Sequence, residues 1–119
     1  MVHRSEFKDI GLFYIRLPVC EDYVLWLRIT ANYPLLLIEE PQIKKHGGHE
    51  DQLSQKFWGM DRFRITALQK SIDTGQLSNE NQQAAVNMLL IKAKISLKGV
   101  TKRGKTDEAT YYQQLIKRY

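Results

Sequence analysis

The chain has 119 residues, 43% of them hydrophobic, with a formal net charge of +5 and one cysteine, Cys20. That length supports one modest core, and a lone cysteine rules out an internal disulfide and fits a reducing, cytoplasmic setting. No apolar run approaches the ~20 residues that span a bilayer and no signal-peptide pattern opens the chain, so no transmembrane segment is expected and any membrane contact would be peripheral.

In chain order, the first strong signal is Glu21-Asp22 running into Tyr23-Val24-Leu25-Trp26-Leu27-Arg28. Apolar residues continue almost all round a helix up to Tyr33, which predicts a largely buried element and the core of the fold. Pro34 to Ile38 then reads as a strand, and Gln42 to Lys45 as a shorter second one. Two strands are marginal unless helices cover them. After Gly47-Gly48, a helix is predicted over about Gln52 to Ile72, with Leu53, Phe57, Met60, Ala67 and Leu68 in one stripe widened by Ile65 and Ile72. Asp61 and Arg64 project into that arc at i, i+3 spacing, placed to pair with each other or with a neighbouring polar group.

Gly75 breaks the pattern, and Ser78 with Glu80 caps a third long helix over about Asn79 to Lys98. Ala84, Met88, Ile91 and Ile95 are spaced to face a partner, and the short Asp73 to Leu77 connection predicts a helical hairpin. Gly99 and Gly104 flank a basic loop. Thr106, with Asp107 and Glu108, starts a final helix ending at Arg118, with Tyr111, Leu115 and Tyr119 as anchors. The expected fold is therefore α+β and mostly α-helical: a short two-stranded β element, a C-terminal helical hairpin and a final helix.

Three residue groups carry candidate chemistry. Glu21 and Asp22 stand where unpaired backbone N–H groups and the helix dipole favour negative charge, which is ordinary capping. A carboxylate fixed there is also placed to act as a general base. His46 and His49 bracket the two glycines but, without a nearby cysteine, make an incomplete metal-ligand set. Lys92, Lys94, Lys98, Lys102, Arg103 and Lys105 form a basic end that attracts anionic surfaces by charge alone, or is simply a solvated helix face. Nothing in it is specific to nucleic acid.

The blocks His3-Arg4-Ser5, Gly11-Leu12-Phe13, Glu21-Asp22-Tyr23-x-Leu25-Trp26-Leu27-Arg28, Tyr33-Pro34, Glu40-Pro41 and Gly47 to Ser54 occur in an order that resembles the closing third of a family 2 glycosyltransferase. The likeness runs from about His3 to about Leu68. It implies a GT-A acceptor side over residues 1–50, a helical C-terminal extension over residues 51–119, and inverting transfer from a nucleotide sugar. Asp22 matches the base that deprotonates the acceptor hydroxyl, with Glu21 beside it, and the substrate side would include Arg28, Trp26 and His49. Complete members use Mn or Mg held by an Asp-x-Asp motif. No Asp-x-Asp occurs in this sequence, nor a Gly-rich phosphate loop, so no cofactor is expected on this chain and the donor-binding half would be a separate piece.

Two departures from the family pattern stand out. Val24 replaces an acid that would pair with Arg28 at i, i+4, and Tyr14-Ile15-Arg16 replaces an acidic residue after Gly11-Leu12-Phe13. The chain is therefore expected to lack transferase activity alone and to form a homodimer through surface that a larger sheet would otherwise cover. The alternative is a non-catalytic helical module that binds a protein partner or an anionic surface.

Overall fold

The computed structural model describes residues 2–46, Phe57 and residues 59–119. Among these, five helices form in the order α1 (Glu6–Ile10), α2 (Glu21–Asn32), α3 (Asp61–Asp73), α4 (Asn79–Lys102) and α5 (Thr106–Arg118).

The main core lies where α4 packs along both α3 and α5. Ile65, Leu68 and Ile72 from α3, Leu89, Ala93 and Val100 from α4, and Tyr112 and Leu115 from α5 are its buried members. The stripe predicted for α3 is thus correct over Ile65, Ala67, Leu68 and Ile72, all buried. Ser78 caps α4 as predicted, its hydroxyl accepting from the Asn81 N–H at 3.2 Å, and one orphan donor at the helix start is satisfied. Gly75, at φ +65°, turns the chain between α3 and α4. That left-handed conformation costs glycine little and other residues more.

α2 sits at the edge of this core rather than at its centre. Tyr23 and Leu27 pack against the main cluster. Leu25 and Ile29 instead join Ile10 of α1 in a small second cluster.

Several expectations are corrected. The two-stranded β element does not form: no strand occurs among the described residues, and residues 34–46 carry no helix either. Leu35, Leu36, Leu37 and Ile38 are exposed, as is Ile43. A strand needs a backbone partner, and Pro41, which has no N–H to donate, separates the two segments that would have paired. The fold is therefore helical over the described residues, not α+β.

Of the helix expected over about Gln52 to Ile72, the described part is Asp61–Asp73, and Gly59, at φ +71°, interrupts helical backbone just before it. The part of that expectation on Gln52 to Lys56 lies outside the described residues. On α4 the face expected inward, Ala84, Met88, Ile91 and Ile95, points to solvent, and the stripe through Leu89, Ala93 and Val100 is buried instead. In α5 the anchor is Tyr112, buried beside Leu115, while Tyr111 is exposed.

Candidate functional site

α2 begins at a strained point. Cys20 precedes it in the left-handed region, φ 63° and ψ 23°, a conformation uncommon for a residue with a Cβ. Its thiol is buried and lies 4.0 Å from the Met60 carbonyl, so the start of α2 is pinned against the residue preceding α3. Burial pushes the thiol pKa up, against a counter-effect from Arg64, which suits a packed thiol rather than a nucleophile.

Asp22 follows on the first turn. Its Oδ1 accepts from the Tyr23 N–H at 2.7 Å, so the residue performs the capping role that its position favours. It remains exposed, and Glu21 beside it is half-buried. Trp26 lies one turn along at i, i+4, hence on the same face as Asp22, with 43% of its surface in solvent. A carboxylate and an exposed indole on one face are groups that a sugar can meet together, the first by hydrogen bonds to hydroxyls and the second by stacking on a ring.

Arg28 stands on the opposite side of α2. Its Nη1 donates to the Ile10 carbonyl at 2.8 Å and its Nη2 to the Leu12 carbonyl. The Nε is buried with no partner. The i, i+4 neighbour, Val24, is also buried, so Arg28 is held by backbone rather than by an acid. Gly11 makes this approach possible: it has φ +77°, and a Cβ there would lie 3.1 Å from Arg28 Nη1. The side chain therefore fastens the Gly11-Leu12-Phe13 segment to α2. His49 lies outside the described residues. Of the expected site residues, Asp22 and Trp26 share one face of α2, whereas Glu21 lies two turns from Arg28 at i, i+7, on the side that carries Arg28.

Two polar contacts were not visible as sequence motifs. Lys70 of α3 donates to the Tyr14 hydroxyl and lies 3.7 Å from the centroid of its ring. That hydrogen bond holds the phenol pKa below its ordinary value. The contact ties the segment after Gly11 to α3 through a cation over an aromatic ring.

At the start of α3, Asp61 Oδ1 accepts from Arg64 Nη1 and from Lys92 Nζ, both at 3.0 Å. Burial alone would raise the Asp61 pKa, but the hydrogen bonds from Lys92 and Arg64 outweigh it and hold the carboxyl below its usual range. The i, i+3 spacing forecast the Arg64 contact. Lys92, 31 positions away in sequence, is supplied by the packing of α4 on α3.

No three His, Cys, Asp or Glu side chains converge as a metal site among the described residues. Nor, among them, is any helix long and apolar enough to cross a membrane. No family model matches the chain, and no curated protein or solved structure matches it.

Proposed function

We propose that this chain carries the acceptor side of a family 2-like inverting glycosyltransferase and has no transferase activity on its own. The observation that supports this most is the Arg28 clamp. It joins two of the sequence blocks behind the resemblance, Gly11-Leu12-Phe13 and Glu21 to Arg28, into one unit that leaves Asp22 and Trp26 exposed on the opposite face. In this reading Asp22 takes the proton of an acceptor hydroxyl and Trp26 supports the acceptor ring. Glu21 adds negative charge beside the base. The leaving diphosphate needs a metal such as Mn or Mg, or a cationic group, and that requirement falls to a separate donor-binding half.

Two measurements on the purified chain test this. Calorimetry with uridine- and guanosine-diphosphate sugars, with manganese or magnesium present, is expected to show no binding. Titration with a panel of mono- and disaccharides is expected to shift the Trp26 indole N–H resonance, with the shift lost in Asp22→Asn. An indole resonance unmoved by every saccharide would sink the acceptor-site reading. Tight, metal-dependent nucleotide-sugar binding would sink the claim that the donor site is elsewhere.

A second reading, a non-catalytic helical interaction module, is favoured by a different observation. Met88, Ile91 and Ile95 form an exposed apolar ridge on α4 that leads toward exposed Lys98 and Lys102. It predicts capture of a protein partner or anionic surface that depends on Lys98, Lys102 and Arg103.

A further inference from the structure

We propose that the groove between α2, α3 and the start of α4 binds a free medium-chain fatty acid, its carboxylate on Lys70 and the Tyr14 hydroxyl and its chain along Leu27, Leu68 and Met88. Neither Asp22 nor Trp26 lines the groove, and the inference does not depend on the transferase reading.

Two adjoining cavities make up the groove, of about 240 and 230 Å³. Small-molecule sites run to roughly 300–1,000 Å³, so a ligand of that kind must span both. They meet at Leu27, Ala31, Ser71 and Leu77, which line each of them. Ala31 and Ser71 are short side chains, so neither raises a wall between the halves.

The halves differ in chemistry. Beyond the shared residues, one is lined mainly by apolar and aromatic side chains, among them Tyr23, Leu68, Ala85 and Met88. The other carries Tyr14, Arg28, Lys70 and Gln76. No Asp or Glu is among the described residues that line either half. A single apolar chain ending in one anion matches this arrangement, since it removes apolar surface from water at one end and meets uncompensated positive charge at the other.

Lys70 is exposed, and among the described residues no carboxylate forms an ion pair with it. Its ammonium has three donors, of which one goes to the Tyr14 hydroxyl, so two remain. Tyr14 accepts that bond and keeps its own O–H to donate. The hydrogen bond from Lys70 holds the phenol below its ordinary pKa and Arg16 acts in the same sense, which makes that O–H a stronger donor. Because the ammonium and the phenol touch, the two oxygens of one carboxylate can reach both. Arg28 adds charge, but its terminal nitrogens are taken by the Ile10 and Leu12 carbonyls. With no free guanidinium fork in the groove, a carboxylate suits it better than a phosphate.

The test is calorimetry on the full chain with hexanoate, octanoate, decanoate, decanol and decyltrimethylammonium, all below the concentrations at which they form micelles. Affinity is expected to rise roughly two- to fourfold per added methylene across the three carboxylates. Decanol should bind about tenfold more weakly than decanoate, and decyltrimethylammonium should not bind. Lys70→Gln should weaken decanoate by about tenfold and leave decanol unchanged, while Lys70→Arg retains binding of decanoate. Ala84→Trp, at an exposed position that lines the apolar half, should weaken decanoate and decanol alike. Lys94→Gln, exposed elsewhere on α4, should change neither. Thermal melts verify that each variant folds, and the comparison of head groups needs no variant at all.

Absence of decanoate binding overturns the proposal, as does equal binding of the three ten-carbon probes, which would show that no head-group site exists. Decanoate binding that is indifferent to Ala84→Trp would place the chain elsewhere and overturn it too. A loss with Lys94→Gln as large as with Lys70→Gln would be diffuse attraction to a basic surface and would overturn it as well.

Discussion

Val24 shows how one side chain decides whether a familiar pattern keeps its meaning. An acid at this position would sit one helical turn from Arg28 and pair with it. Instead Val24 is 8% exposed, and the terminal nitrogens of Arg28 are directed at the carbonyls of Ile10 and Leu12. Val24→Asp would place a carboxylate in a site closed to water, where an incompletely paired charge costs several times the ~0.3–0.5 kcal/mol that an exposed i, i+4 pair contributes. We predict destabilisation by about 1–3 kcal/mol, seen as a lower thermal midpoint. An unchanged or raised midpoint would mean that the unpartnered Arg28 Nε captures the new carboxylate and that the pattern of the resemblance survives at this surface.

Among the elements, α4 shows what the sequence could and could not settle. Its start was legible because Ser78 is a local signal, and its existence was legible from period and length. Its buried face was not. Ala84, Met88, Ile91, Ile95 and the neighbouring Leu89, Ala93, Val100 both follow helical spacing, so two apolar stripes compete, and only the positions of α3 and α5 choose between them. Leu89 is wholly buried and Ile91 is 54% exposed. Leu89→Ala should therefore cost about 2–4 kcal/mol, whereas Ile91→Ala should change stability by less than about 0.5 kcal/mol. Denaturant melts of both variants check the assignment, and a reversal of the two values would restore the face expected from sequence.

The strands failed for a related reason. Leu35 to Ile38 have the composition of a strand, but pairing is a property of two segments, and no partner lies among the described residues. The Asp22 face was legible because its residues lie within one helix. The clamp behind it was not, because it joins Arg28 to carbonyls 16 and 18 positions away in the chain.

The junction of α3 with α4 has its own pH dependence. The Asp61 carboxyl is held below its usual range, burial opposing the charge and the hydrogen bonds from Lys92 and Arg64 prevailing. In the window between its folded and unfolded values the unfolded chain binds the extra proton, so stability rises with pH there. The contribution is complete above the ordinary carboxylate value of about 4 and is lost as pH falls through the lower folded value. Thermal midpoints measured from pH 6 down to pH 2 should fall more steeply in the native chain than in Asp61→Asn, which lacks the titrating group. The variant should also be less stable near neutral pH by about 1–2 kcal/mol, since the oxygen that Arg64 and Lys92 share loses its negative charge. Parallel pH profiles would show that this junction does not depend on the Asp61 charge.

On the scale of the whole molecule, the apolar side chains of the described residues are divided between a packed helical core and an exposed segment without helix or strand. Leu35, Leu36, Leu37 and Ile38 are exposed by 66%, 93%, 87% and 68%, and no backbone-to-backbone hydrogen bond joins residues 34–46 to any other described residue. Unpaired backbone next to four large apolar side chains is the arrangement that another strand satisfies, and the same segment of a second copy is self-complementary about a two-fold axis. Stable interfaces bury on the order of 1,200 Å² or more, and four side chains from each copy only approach that figure, so the expected association is weak and concentration-dependent. We predict a monomer–homodimer equilibrium in the micromolar to millimolar range, measured by light scattering across a dilution series. Leu36→Lys with Leu37→Lys should leave a monomer of unchanged helicity, since these side chains make no part of the helical core. Dimerisation that persists in this variant but disappears on Met88→Lys and Ile91→Lys would move the interface to the α4 ridge. A strict monomer at every concentration would show that the exposed segment is not used for self-association.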